Sequence, residues 1–293
     1  MPIFKGVCTA MITPFKDNEV DKDAFCELID RQLSANVNAI LVCGTTGEPC
    51  TMTDDEKLSL IQLAAERINK RVPLIAGVGG NCTGSVATFA KVIRAVGADA
   101  ILSVTPYYNK CTQEGLVRHY SEIAMATDLP IIVYNVPSRT GFNALPETVE
   151  KLSDIPNIVG IKEASPSISQ AAEILSVCKG KIDLYTGNDD MIVPTMALGG
   201  AGCISVISNI VPQMVVDMTK AVLDGRVFDA AKLQLKLIPL IKATFSEVNP
   251  IPVKAAASLL GLCRNELRLP LTPLSLSNTK LMCAELDKLG IIG

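Results

Sequence analysis

The chain has 293 residues, 48% of them hydrophobic, enough apolar surface for a large core and too much for a disordered segment. Its net charge of −3, with the two signs well mixed, excludes the basic surface that nucleic acid requires. No apolar run approaches the ~20 residues that span a bilayer, and the single histidine, His119, excludes a His-rich zinc site.

Short β-type runs alternate with longer amphipathic stretches along the chain. Val7–Ile12 comes first, and Asp21-Lys22-Asp23 then opens a helix carrying Phe25, Leu28, Ile29 and Leu33. Ala39–Cys43 is the second run. Behind it, Thr53-Asp54-Asp55-Glu56 reads as a capping box that starts a helix with Leu58, Ile61, Leu63, Ala64, Ala65 and Ile68 on one side. The remaining runs are Pro73–Gly77, Ala100–Val104, Pro130–Tyr134, Ile158–Lys162, Asp183–Gly187 and Gly202–Ile207. Most are continuously aliphatic, the pattern of strands covered on both faces, as in a parallel sheet. Pro146 and Pro212 stand where first-turn helix prolines belong.

Eight such units, spaced by about 25–30 residues, predict an α/β fold of the (β/α)8 TIM-barrel class. A doubly wound open sheet is the alternative. It expects a glycine fingerprint after the first strand, and Thr9–Phe15 contains no glycine. Beyond Asp224 the strand signal ends, and Val227–Ser246, Pro252–Leu260 and Leu274–Leu289 read as helices separated by proline-bearing turns. Residues 1–224 are therefore expected to form the barrel with the active site. Residues 225–293 are expected to form a C-terminal helical domain packed on the barrel or on a neighbouring subunit. The ten cysteines include no C-x-x-C pair, and Met-Pro-Ile-Phe-Lys at the start lacks a signal-peptide stretch. Reduced thiols in a cytoplasmic protein are the expectation.

In a barrel of this class the chemistry lies where the strands end. Lys162 closes the sixth run and directly follows a buried-strand pattern. Apolar surroundings favour a neutral lysine amine, which can attack a ketone; the bland alternative is a lysine paired with Glu163. Gly44-Thr45-Thr46-Gly47-Glu48 offers N–H groups and two hydroxyls to a carboxylate, or is an ordinary βα turn. Tyr107 and Tyr108 sit at a loop tip, as packing residues or as proton carriers. Tyr134 aims its hydroxyl at the barrel top one strand away from Lys162. Arg139, in Pro137-Ser138-Arg139-Thr140-Gly141, is either a surface arginine or a fork for a substrate carboxylate. Asp189 and Asp190 could hold a metal but are expected to cap the following helix. Gly77-Val78-Gly79-Gly80-Asn81 is not a dinucleotide loop, because position 82 is Cys. One lysine, several hydroxyls and one arginine suit imine chemistry on a keto acid, with neither metal nor cofactor expected.

Five segments in order carry a resemblance over residues 3–290: Gly44–Glu48, Thr105–Asn109, Tyr134–Gly141, Gly160–Ala164 and Asn249–Lys254. With them the chain resembles the 4-hydroxy-tetrahydrodipicolinate (dihydrodipicolinate) synthase family of pyruvate-dependent class I aldolases. The resemblance implies a pyruvate imine on Lys162, condensed with L-aspartate 4-semialdehyde in diaminopimelate and lysine biosynthesis. It implies a proton relay of Tyr134, Thr45 and Tyr108, with Tyr108 supplied by an adjacent subunit of a homotetramer, a dimer of dimers. Thr46 would hold the pyruvate carboxylate with Thr45, Arg139 would hold the semialdehyde, and Gly187 and Ile204 would line the pyruvate pocket. N-acetylneuraminate lyase and 2-keto-3-deoxygluconate aldolase share the lysine and the tyrosine and are the rival readings; a non-catalytic keto-acid sensor is another. Lysine-inhibited relatives bind lysine near Asn81 and Tyr107. Several have His and Glu where this chain has Lys57 and Ser85, so weak or absent inhibition is expected.

Overall fold

Aliphatic side chains on both faces turn the apolar runs into strands that must be covered twice. In the structure, a computed structural model describing residues 2–292, these strands are Gly6–Ala10, Ala39–Val42, Leu74–Gly77, Ala100–Val104, Ile131–Asn135, Ile158–Glu163, Asp183–Thr186 and Gly202–Ser205. They pair in parallel in chain order and close first to last, with Gly6 opposite Gly202 and Thr9 opposite Ser205. This is the (β/α)8 barrel that the spacing predicts.

The pleat sorts the side chains into two layers. Cys8, Leu41, Ile75, Leu102, Ile132, Tyr185 and Ile204 fill the barrel interior, while Val7, Ile40, Ile101, Val133 and Ile161 join the apolar layer beneath the helices. Phe4 stacks on Tyr185 with ring centroids 4.3 Å apart, and its carbonyl accepts from the Tyr185 hydroxyl at 3.0 Å, filling the space below the site.

Local signals act as the sequence implies. Thr53 Oγ1 accepts from Glu56 N–H at 3.2 Å, and the Glu56 carboxylate accepts from Thr53 N–H at 2.8 Å. Pro146 and Pro212 occupy first-turn positions. A two-stranded ribbon, Phe15–Lys16 with Glu19–Val20, stands where no strand is predicted, because two residues carry no period. Its turn residues Asp17 and Asn18 take φ of 56° and 65°, the geometry that matches strand twist.

Asp189 is not the helix cap expected of it. The helix Ile192–Ala197 starts from Met191 without a side-chain cap bond. Asp189 is buried, and its carboxylate accepts from the N–H groups of Val206 and Ile207 at 3.0 and 2.9 Å. It pins the end of the seventh strand to the turn Ile207–Asn209, and so the eighth strand stops at Ser205, short of the expected Ile207. Among the described residues no cluster of three or more potential metal ligands occurs, and no helix is long and apolar enough to cross a membrane.

The chain ends in the helices Val227–Thr244, Ile251–Leu259 and Leu276–Lys288. Between the last two, Arg268 grips Glu56 with both ends of its fork, at 2.6 and 2.9 Å. That grip lowers the Glu56 carboxyl from 4.5 to about 2. A carboxyl depressed in the folded state contributes stability that is complete above its unfolded pKa and lost as pH falls through the folded one. The melting temperature should therefore fall as pH drops from about 4.5 to about 2, and Glu56→Gln should flatten that acid limb while lowering the neutral-pH melting temperature.

Candidate active site

Lys162 reaches its place through a bulge. Ile131 pairs with Ile158 but Ile132 pairs with Gly160, so Val159 is the extra residue between the fifth and sixth strands. Bulges of this kind re-aim side chains beside active sites. From Gly160 onward the register places Lys162 opposite Tyr134. The Lys162 side chain enters the barrel interior, 5% exposed, with Nζ 4.4 Å from the Tyr134 ring centroid. The neighbouring Glu163 is engaged elsewhere: its carboxylate accepts from Asn135 Nδ2 at 2.9 Å, Gln170 Nε2 at 3.1 Å and Ser165 N–H at 2.6 Å. The Lys162–Glu163 pair considered as the bland reading does not form.

Gly187 is a spatial requirement of that lysine. A Cβ at this position would lie 2.8 Å from Lys162 Cε and 2.7 Å from Ala164 Cβ. Ile204 belongs to the interior cluster that also holds Tyr134 and Ala164.

Above this point opens a cavity of about 310 Å³. Thr45, Tyr107, Tyr134, Arg139 and Asn249 are among its lining residues. One wall is the tight turn Thr45–Gly47, which Gly44 enters in extended conformation and Glu48 leaves in the left-handed region at φ 55°. Thr13 Oγ1 donates to the Gly47 carbonyl at 2.8 Å and fixes the turn from below. Thr46 is buried, and its hydroxyl accepts from Asn249 Nδ2 at 3.0 Å. Across the cavity, Arg139 sits in the single helical turn Pro137–Thr140, and its Nη2 donates to the Asn249 carbonyl at 3.0 Å. Gly77 and Gly79, set aside as a nucleotide loop, allow close packing here: a Cβ would stand 2.0 Å from the Cys43 carbonyl oxygen and 2.3 Å from Val104 N.

The structure thus gathers Lys162, Tyr134, Gly187 and Ile204 at the barrel centre, with Thr45 and Arg139 lining the cavity and Thr46 buried next to Thr45 in the same turn. Tyr108 stays outside, 90% exposed at a loop tip with φ 68°. Its neighbour Tyr107 lines the cavity. The lone histidine, His119, lies on the outer helix Gln113–Ala126, where burial lowers it to about 4. Sequence reasoning gave no role to Asn249, which touches both Thr46 and Arg139, or to the buried pair Glu48–Lys254 behind the turn. A signal was present: Lys254 is the one charge in the helix Ile251–Leu259, whose other residues are apolar except Ser258.

The comparisons agree with this geometry. The model of the dihydrodipicolinate synthetase family matches residues 3–288. The chain is similar to 4-hydroxy-tetrahydrodipicolinate synthase of Caldicellulosiruptor saccharolyticus, at 52% identity over 99% of both proteins. Dihydrodipicolinate synthase from Thermotoga maritima superimposes with a TM-score of 0.98 at 44% identity, over 99% of this chain and 100% of that one. The chloride-inhibited Acinetobacter baumannii enzyme, solved in complex with pyruvate, gives 0.97 at 39% identity, over 98% and 99%. A barrel with one interior lysine beside a tyrosine, matched nearly end to end, leaves one assignment: the chain belongs to the dihydrodipicolinate synthetase family.

Proposed function

We propose that the cavity condenses pyruvate with L-aspartate 4-semialdehyde to give 4-hydroxy-tetrahydrodipicolinate, by way of an imine on Lys162. The observation that carries the reading is Lys162 itself, held inside the barrel against Tyr134. The Lys162 amine adds to the pyruvate ketone, and water leaves. Loss of a methyl proton gives the enamine, whose carbon attacks the aldehyde. The amine of the semialdehyde then displaces Lys162 by transimination and closes the ring. The imine takes up the electron pair at each stage, so the scheme uses no metal or cofactor.

The Thr45–Thr46 turn receives the pyruvate carboxylate, with its N–H groups and the Thr45 hydroxyl facing the substrate. Tyr134 and Thr45 pass protons to and from the reacting carbon and oxygen atoms, and Tyr108 joins them from a second copy of the chain. A loop-tip tyrosine this exposed fits that crossing, so we take the working form to be a homo-oligomer, a tetramer built as a dimer of dimers. Ten free thiols suit a reducing cytoplasm.

A coupled assay with dihydrodipicolinate reductase tests the reading. Turnover with the semialdehyde, and little with N-acetylmannosamine or glyceraldehyde, is the expected result; preference for an aldose would replace the reading by a sugar-acid aldolase.

Arg139 is assigned to the semialdehyde carboxylate. A charge-assisted hydrogen bond is worth about 1.5–3 kcal/mol. Arg139→Ala should therefore lower kcat/KM for the semialdehyde by roughly 10- to 100-fold while leaving pyruvate half-saturation nearly unchanged. Arg139→Lys should recover only part, because it keeps the charge and loses the fork.

Free lysine should inhibit weakly. Lys57 pairs with Asp54 at 2.6 Å and lies 5.3 Å over the Phe89 ring, which sets an ammonium where a lysine ligand would bring its own. Half-inhibition at sub-millimolar lysine would refute this.

A further inference from the structure

Among the ion pairs of the described residues, Glu48–Lys254 alone has both side chains at 0% exposure. Removing two charges from water is costly, and an apolar replacement is often no less stable. A pair kept in such a place calls for a reason beyond stability. Its position supplies one. Glu48 ends the turn that carries Thr45 and Thr46, in a left-handed conformation that fixes where its side chain leaves the backbone. Lys254 lies five residues after Asn249, on the segment that also donates to Thr46.

We propose that Glu48 and Lys254 are positioning residues for the first substrate: their buried ion pair, together with the Asn249–Thr46 hydrogen bond, holds the Thr45–Thr46 turn in its carboxylate-binding shape. The inference rests on the reading of that turn as the pyruvate carboxylate site.

Each partner is itself held. Lys254 Nζ donates to the Glu266 carbonyl at 3.0 Å and lies 4.3 Å from the Phe15 ring centroid. The Glu48 carboxylate also accepts from Arg268 N–H at 3.4 Å. The turn is thus fastened at two points, Thr46 and Glu48, to a segment outside the barrel strands. Loosening the second point lets the turn drift while Lys162, anchored on the sixth strand, stays in place. Pyruvate capture should suffer and the second substrate should not.

Glu48→Gln and Lys254→Met test this in the full-length chain. Burial pulls the Lys254 ammonium below its ordinary pKa even beside Glu48, and Glu48→Gln removes the carboxylate that opposes that shift while keeping the side chain's size. The readout is borohydride-trapped pyruvate adduct against pyruvate concentration, with semialdehyde KM and thermal unfolding measured in parallel. The expected result is half-saturation for pyruvate raised about tenfold, an unchanged adduct ceiling and a semialdehyde KM within about twofold of wild type. Folded variants with wild-type half-saturation would overturn the proposal. So would loss of the folded state in both, which would make the pair a structural bond only. If wild type itself formed no adduct, the functional reading would fail instead.

Discussion

Replacing Lys162 by arginine or alanine is expected to lower kcat/KM by roughly 10⁴-fold or more, the scale of losing a covalent nucleophile. The two variants separate charge from nucleophilicity. Arginine keeps a cation inside the barrel but stays protonated and cannot form the imine. Alanine removes both. Electrostatic assistance by the ammonium would let arginine retain much of the activity, and covalent capture leaves the two equally inactive. Both should fold. The strand is held by parallel backbone pairing on either side, and among the described residues the Lys162 side chain has no hydrogen-bond partner whose loss would loosen it. Thermal unfolding within a few degrees of wild type, measured beside the coupled assay, would assign the loss to chemistry.

Gly187→Ala should cost about 100-fold in kcat/KM, the effect of displacing a reacting group by about 1 Å. The added methyl would meet Ala164 Cβ at 2.7 Å and Lys162 Cε at 2.8 Å. Ala164 has no rotamer with which to yield, so the lysine stem must move and carries its amine with it. Overpacking of this size costs about 1–3 kcal/mol of stability. The decisive comparison is therefore activity per folded molecule. A variant that loses a few degrees of melting temperature and two orders of magnitude in pyruvate capture fits the geometry. One that loses stability alone would show that Gly187 serves packing and leaves the amine undisturbed.

Most of the barrel could be read from the chain because its signals are local. Continuous aliphatic runs, Thr53 and Glu56 in one capping box, and Pro212 at a first turn each act within a few residues. Strand-end logic then placed Lys162, Tyr134 and Arg139 at the same end of the barrel. What escaped depends on contacts distant in sequence. Glu48 meets Lys254 and Thr46 meets Asn249 more than 200 residues away, and no spacing rule pairs them. Asp189 escaped for a related reason. An aspartate ahead of a helix looks like a cap until the neighbouring strand end delivers two backbone N–H groups to it. The bulge at Val159 was equally silent, since Asn157-Ile158-Val159-Gly160-Ile161 carries no mark of which residue is the extra one. Tyr108 marks the opposite limit. Only the family resemblance points to it, and a single chain leaves it facing solvent.

The covalent bond itself can be measured. Incubating the wild-type protein with pyruvate, reducing with borohydride and mapping peptides by mass spectrometry should find one carboxyethyl group per chain, on the peptide containing Lys162. The semialdehyde, added before the reductant, should diminish that adduct by turning the enamine over. Undiminished turnover with no adduct on any lysine, or with the adduct on a different lysine, would contradict an imine at the centre of the barrel.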